Sequence, residues 1–255
     1  MNKIIDGLNI NYFEKGDGPL VVLLHGWGSN ISLFNSMTEV LYKKYKVVAM
    51  DLPGFGSSDE PKEIWDVDRY TDFVIEFVKQ YNCDEVIFLG HSFGGRIIIK
   101  MFVRDNLPFK ITKLILTGSA GIVPKKTPKQ IRKQKIYKMT RKIYQSKLVT
   151  KLFPDALEKL RKKHGSADYN AASPIMRQIL VKVVNEDLSH IFPKVTPSTL
   201  LIWGKNDTAT PLSDGKTMEK EMPNSALVVL ENSGHYAFLD EMFAFNKILA
   251  SFMNI

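Results

Sequence analysis

A single cysteine, Cys83, stands among 255 residues, so no internal disulfide can form. A disulfide-built scaffold is excluded, and a reducing, cytoplasmic setting is expected. No run approaches the roughly 18 apolar residues of a membrane span, and Met1-Asn2-Lys3-Ile4-Ile5-Asp6 returns to polar residues too soon for a secretory signal. There is no Cys/His cluster, no His-Glu-x-x-His string and no Gly-rich phosphate loop, so neither a metal nor a cofactor is expected. Acids are scarce in one stretch. Residues 125–165 carry fifteen Lys/Arg against Asp155 and Glu158, a net +13, which leaves −5 for the rest of a chain whose total is +8. Basicity confined to one segment argues against nucleic acid as a partner. It fits a solvated helical face, or a surface that attracts an anionic substrate.

What is present is a pattern of buried strands. Apolar runs recur at Leu20–Leu24, Val47–Met50, Val86–Leu89, Leu114–Leu116, Leu200–Trp203 and Leu227–Leu230. Continuous apolarity is what strands covered on both faces require, and this predicts a mostly parallel sheet flanked by helices. Ile4–Tyr12 alternates more and predicts an antiparallel hairpin at the sheet edge. Tyr70, Phe73, Val74, Phe77, Val78 and Tyr81 share one helical face, and Phe238, Met242, Phe245, Leu249 and Phe252 form a second stripe. Strand–helix alternation of this kind reads as an α/β fold. About 80 residues separate the strand near Thr117 from the one near Thr199, too many for a structureless loop. Ile136, Met139 and Ile143, and then Ile175, Ile179 and Val183, predict helices there. Residues 1–121 and 194–255 are thus expected to form the core, with 122–193 a helical insert over one end of the sheet.

The chemistry gathers where strands end. Gly90-His91-Ser92-Phe93-Gly94-Gly95 follows a strand and precedes a helix, a turn that exposes a serine hydroxyl. A serine is a poor nucleophile without a base. Of the five histidines, His91 adjoins the serine, His164 and His190 fall in the insert, and His25 sits on a Gly-rich loop. His235 lies between the last strand and the last helix, on the rim where α/β sheets place their sites. Asp207, after the penultimate strand, is positioned to orient it, with Asp214 and Asp240 as neighbouring substitutes.

The order Ser92, Asp207, His235 in these contexts resembles the α/β-hydrolase superfamily. His25-Gly26-Trp27-Gly28 is similar to the family's oxyanion-hole segment, and Asp51-Leu52-Pro53-Gly54-Phe55-Gly56-Ser57-Ser58-Asp59 to its loop after the following strand. The likeness spans roughly residues 20–120 and 198–252, and the insert takes the family's usual cap position. It implies a carboxylesterase-like serine hydrolase with Ser92 as nucleophile, His235 as base and Asp207 orienting it. The main-chain N–H groups of Trp27 and Phe93 would be the oxyanion donors. An ester, thioester or lactone of a small acyl substrate, anionic if the basic insert attracts it, is the expected target of a monomer or homodimer. The insert's inner stripes are expected to form an apolar pocket. Haloalkane dehalogenases and epoxide hydrolases of this fold place an aspartate where Ser92 stands. Carbon–carbon bond hydrolases keep the serine but often have asparagine in place of His91, so that reaction stays an alternative. A ligand receptor with slow turnover is a second.

Overall fold

The computed structural model describes residues 1–124, 127–146, 152–153 and 155–255. Lys125, Lys126, Lys147 and Lys151 of the basic segment lie outside the described residues. Among the described residues eight strands form one sheet: β1 (Asn2–Ile5), β2 (Leu8–Lys15), β3 (Leu20–Leu24), β4 (Lys46–Met50), β5 (Glu85–His91), β6 (Lys110–Thr117), β7 (Ser198–Gly204) and β8 (Ser225–Leu230). Their order is β1-β2-β4-β3-β5-β6-β7-β8, with β1 and β2 antiparallel at one edge and β3 to β8 parallel. All five residues of β3 are buried, as doubly covered strands demand. Burying each such side chain is worth roughly 1.5–3 kcal/mol relative to exposure. Two apolar clusters, one on each face, divide the odd and even residues of β3: Val21 and Leu23 on one side, Leu20, Val22 and Leu24 on the other. This is the mostly parallel, helix-covered α/β sheet that the strand pattern implied.

Helices α1 (Asn35–Leu41), α2 (Val67–Lys79) and α3 (Phe93–Met101) cover the first half of the sheet. The helix expected from Tyr70 starts three residues earlier because Asp66 caps it, its carboxylate accepting from Arg69 N at 3.0 Å; such a cap contributes about 1 kcal/mol. Between β6 and β7 run α4 (Pro128–Tyr144), α5 (Ala156–His164), α6 (Ala167–Ala171) and α7 (Pro174–Val183), with no strand among the described residues. The stretch after β7 adds α8 (Leu212–Glu221), α9 (Ala237–Asp240) and α10 (Met242–Met253).

Two expected stripes differ. Ile136, Met139 and Ile143 of α4 are 54%, 67% and 59% exposed, so they face solvent and line neither cavity described below. Helix α4 turns Tyr137 toward His164 of α5 instead, with ring centroids 5.3 Å apart. A helical period shows that residues share a face; it does not supply a partner for that face. On α7 the stripe does pack, with Ile179 and Val183 buried. The C-terminal stripe is broken at Glu241, whose φ of −124° and ψ of 55° interrupt the helix. Its carboxylate accepts from Asn232 N (2.8 Å) and Ser233 Oγ (2.7 Å), so the break serves the loop before His235 and leaves Met242 37% exposed.

Candidate active site

Because β3 to β8 are parallel, their C-terminal ends share one rim. The loops at His25–Ser29, Asp51, Ser92, Gly118, Asp207 and His235 all rise from it. Ser92 sits between β5 and α3 with φ 51° and ψ −110°, a conformation that L-residues seldom adopt and that costs of order 1–3 kcal/mol. The turn is this sharp because Gly94 and Gly95 let α3 approach; a Cβ there would collide with the Leu24 carbonyl and with Ser119 Oγ, respectively. The strain holds Ser92 part-exposed at the start of a helix, where first-turn N–H groups are unpaired.

His235 Nδ1 lies 2.8 Å from Asp207 Oδ2. The Asp207 side chain is wholly buried in a turn of its own making: Oδ1 accepts from Ala209 N (2.8 Å) and Thr210 N (2.9 Å). Burial works to raise this carboxyl, but the bonds from His235 and Thr210 outweigh it and hold it below its ordinary range. The Thr210 hydroxyl lies 2.9 Å from both Asp207 Oδ2 and Gly118 O, so its single proton ties the turn either to the carboxylate or to the end of β6. Trp203, fully buried on β7, donates from Nε1 to Thr210 O at 2.8 Å and fixes the turn from below. Sequence reasoning missed Thr210 and Trp203; the Asp-x-x-Thr spacing of an Asx-type turn is the signal that carries the first.

The other two carboxylates do other work. Asp240 Oδ2 accepts from Gly234 N at 2.8 Å, bracing the loop that carries His235. Asp214 lies on the first turn of α8, and its carboxyl is raised by burial and by the nearby charge of Asp207.

Ser92 and His235 line one cavity of about 340 Å³, together with Trp27, Phe93 and Tyr236. Ser92 Oγ has no hydrogen bond to a described residue; such links are often long at rest and tighten with substrate. The main-chain N–H groups of Trp27 and Phe93 also donate to no described residue. The Trp27 ring packs edge-on against Phe55 (4.7 Å) and Phe93 (5.6 Å), so aromatic packing holds this loop beside the serine. Beyond Trp27 lies a second cavity of about 410 Å³, lined by Asn30, Gly54, Glu60 and Met176 but not by Ser92 or His235.

His25 and His91 are structural in their contacts. His25 Nδ1 is 2.7 Å from Gly26 O, and Nε2 accepts from Leu52 N at 2.9 Å, joining the Trp27 loop to the loop after β4. His91 Nε2 lies 3.1 Å from the His235 carbonyl, with the two rings 4.7 Å apart, so it supports the main chain of His235. His164 and His190 do not line the cavity.

Burial lowers His25 to about 4, and burial with the proximity of His235 lowers His91 to about 3. An unfolded chain takes up these protons near pH 6.5. Their contribution to stability is therefore complete above that pH and is lost as pH falls toward 4 and 3. The expected slope is up to about 1.4 kcal/mol per pH unit for each histidine. Urea unfolding between pH 7.5 and 5 measures it. His91→Gln, which keeps a donor but does not titrate, should lower the slope by roughly half, and an unchanged slope would contradict this reading.

A part-exposed serine and an imidazole paired with a buried carboxylate thus line one cavity, with Trp27 and Phe93 beside them. The chain belongs to the alpha/beta hydrolase family, whose fold model matches residues 19–242. It is 30% identical over 252 residues to the AB hydrolase superfamily protein YisY of Bacillus subtilis, across 94% of each chain. It is 27% identical to the 2-hydroxy-6-oxononadienedioate/2-hydroxy-6-oxononatrienedioate hydrolase 1 of Pseudomonas putida, across 98% of this chain and 95% of that one. Among solved structures it is similar to an esterase from Exiguobacterium antarcticum, with a TM-score of 0.76, 27% identity and both chains covered in full. Among the described residues no helix is long and apolar enough to cross a membrane.

Proposed function

We propose that this chain is a serine hydrolase that cleaves a carboxylic ester, thioester or lactone through an acyl-enzyme on Ser92. The observation that carries this reading is the His235–Asp207 pair at 2.8 Å on the same cavity as a serine held at φ 51°. His235 Nε2 takes the Ser92 proton as Oγ attacks the carbonyl carbon. The negative oxygen of the tetrahedral intermediate is held by the N–H groups of Trp27 and Phe93, each worth ~10²–10³ in turnover. His235, now charged and steadied by Asp207, gives its proton to the leaving group. Water then attacks the acyl-enzyme by the same route, and Ser92 leaves with its proton restored.

Residues 122–193 act in this reading as the cap over a core of 1–121 and 194–255. Ile122, Leu180 and Val183 in the cavity wall support that role, supplying an apolar surface for the acyl chain. Hydrolysis of p-nitrophenyl acetate and butyrate, with Ser92→Ala as control, tests the proposal. Turnover that disappears with Ser92 is expected. No turnover, together with thermal stabilisation by small acyl ligands, would instead mark a receptor on the same fold.

A further inference from the structure

Among the described residues, the cavity that holds Ser92 has one permanent cation in its wall, Arg96. It lies one turn beyond Ser92 on α3 and is 4% exposed. Burial pulls its guanidinium down to about 10, which still leaves it charged at neutral pH. A buried charge normally has an ion partner, because removing it from water costs several kcal/mol. No carboxylate of the described residues lies within ion-pair distance of Arg96, although Glu186 and Asp187 stand near enough to favour its charge. Its one side-chain hydrogen bond to a described residue runs from Nη1 to the main-chain carbonyl of Glu186. The nearby carboxylates are engaged elsewhere: Glu186 Oε1 takes Lys100 Nζ at 2.6 Å, and Asp187 takes Val123 N at 2.8 Å and the main-chain N–H of Ser189 at 3.0 Å. A guanidinium has five donors in a planar fork that matches a carboxylate.

We propose that Arg96 is the binding site for a carboxylate on the acyl part of the substrate, so that the preferred substrate is a monoester, thioester or lactone of an acid bearing a second anionic group. This rests on the hydrolytic reading above. Arg96 N donates to Ser92 O at 3.3 Å, so the two residues stand one turn apart, and the long Arg96 side chain extends further. The second carboxylate therefore sits a few bonds from the scissile carbonyl, on the scale of a succinyl or glutaryl chain. The cavity's own carboxylates favour the same orientation. Asp214 stands toward Asp207, and Asp168 stands by Gly28 and Tyr236, so an anion is repelled from those sides.

The test compares p-nitrophenyl hydrogen glutarate with its neutral, amide-capped counterpart. In Arg96→Gln, which can still donate to the Glu186 carbonyl, the anionic-to-neutral ratio of kcat/KM should fall roughly 10- to 100-fold, mainly through KM. Arg96→Lys should restore part of it. Equal losses on both esters would make Arg96 a strut between α3 and residue 186 and overturn the proposal. Calorimetry of glutarate binding separates this from the parent reading. Glutarate held by the unaltered protein and lost in Arg96→Gln, with no ester turned over, would keep the carboxylate site and sink hydrolysis. Ser92-dependent turnover of the neutral ester with no glutarate binding and no anionic preference would do the reverse.

Discussion

Ser92→Ala is expected to lower turnover by ~10⁴–10⁶-fold, with the fold intact. The loss is large because attack needs the Oγ itself; no neighbouring hydroxyl lies at the same point of the turn. On the proposed mechanism the N–H groups of Trp27 and Phe93 remain and account for whatever rate survives. Stability should hardly change, because alanine meets the same backbone strain at φ 51°. Ser92→Gly is the informative companion. Glycine adopts positive φ without steric cost, which relieves strain of order 1–3 kcal/mol, while its greater freedom when unfolded offsets roughly 0.5–1 kcal/mol. A variant that melts at or above the parent temperature yet turns nothing over would show a strained turn kept for chemistry. Steady-state kinetics and a thermal melt read the two effects. Activity in Ser92→Ala within tenfold of the parent would remove the serine from the mechanism.

Asp207→Asn should cost ~10³–10⁴-fold in kcat, with the fold retained. The amide oxygen can still accept from Ala209 N and Thr210 N, so the turn survives. The amide nitrogen, however, faces His235 Nδ1 and donates to it, which places the ring proton on Nε2, pointing at Ser92. A ring in that tautomer cannot accept the serine proton. Asp214→Asn is the control, because Asp214 lines the same cavity. It should cost far less, since its carboxylate makes no bond to His235 among the described residues. If Asp214→Asn were the damaging change and Asp207→Asn the mild one, the roles of the two carboxylates would be exchanged.

The sheet was legible because its strands are covered on both faces, so each wrote an unbroken apolar run; β3 and β7 read directly from Leu20–Leu24 and Leu200–Trp203. The rim followed, since loops after parallel strands must share one end. The choice among Asp207, Asp214 and Asp240 was less legible. Three carboxylates fall near His235 in sequence, and only the fold gives one to its ring, one to the cavity wall and one to Gly234 N. The exposed stripe of α4 misled because a period carries no information about what lies opposite. Arg96 gave no sign at all, since its partner at Glu186 is 90 residues away in sequence and is a main-chain carbonyl.

Treating the protein with a fluorophosphonate and locating the adduct by peptide mass spectrometry asks most directly whether these side chains work together. One phosphonyl group on the peptide containing Ser92 is expected, absent in Ser92→Ala and formed much more slowly in His235→Ala. No adduct, or labelling at Ser92 equally fast without His235, would contradict an oxygen activated by that imidazole.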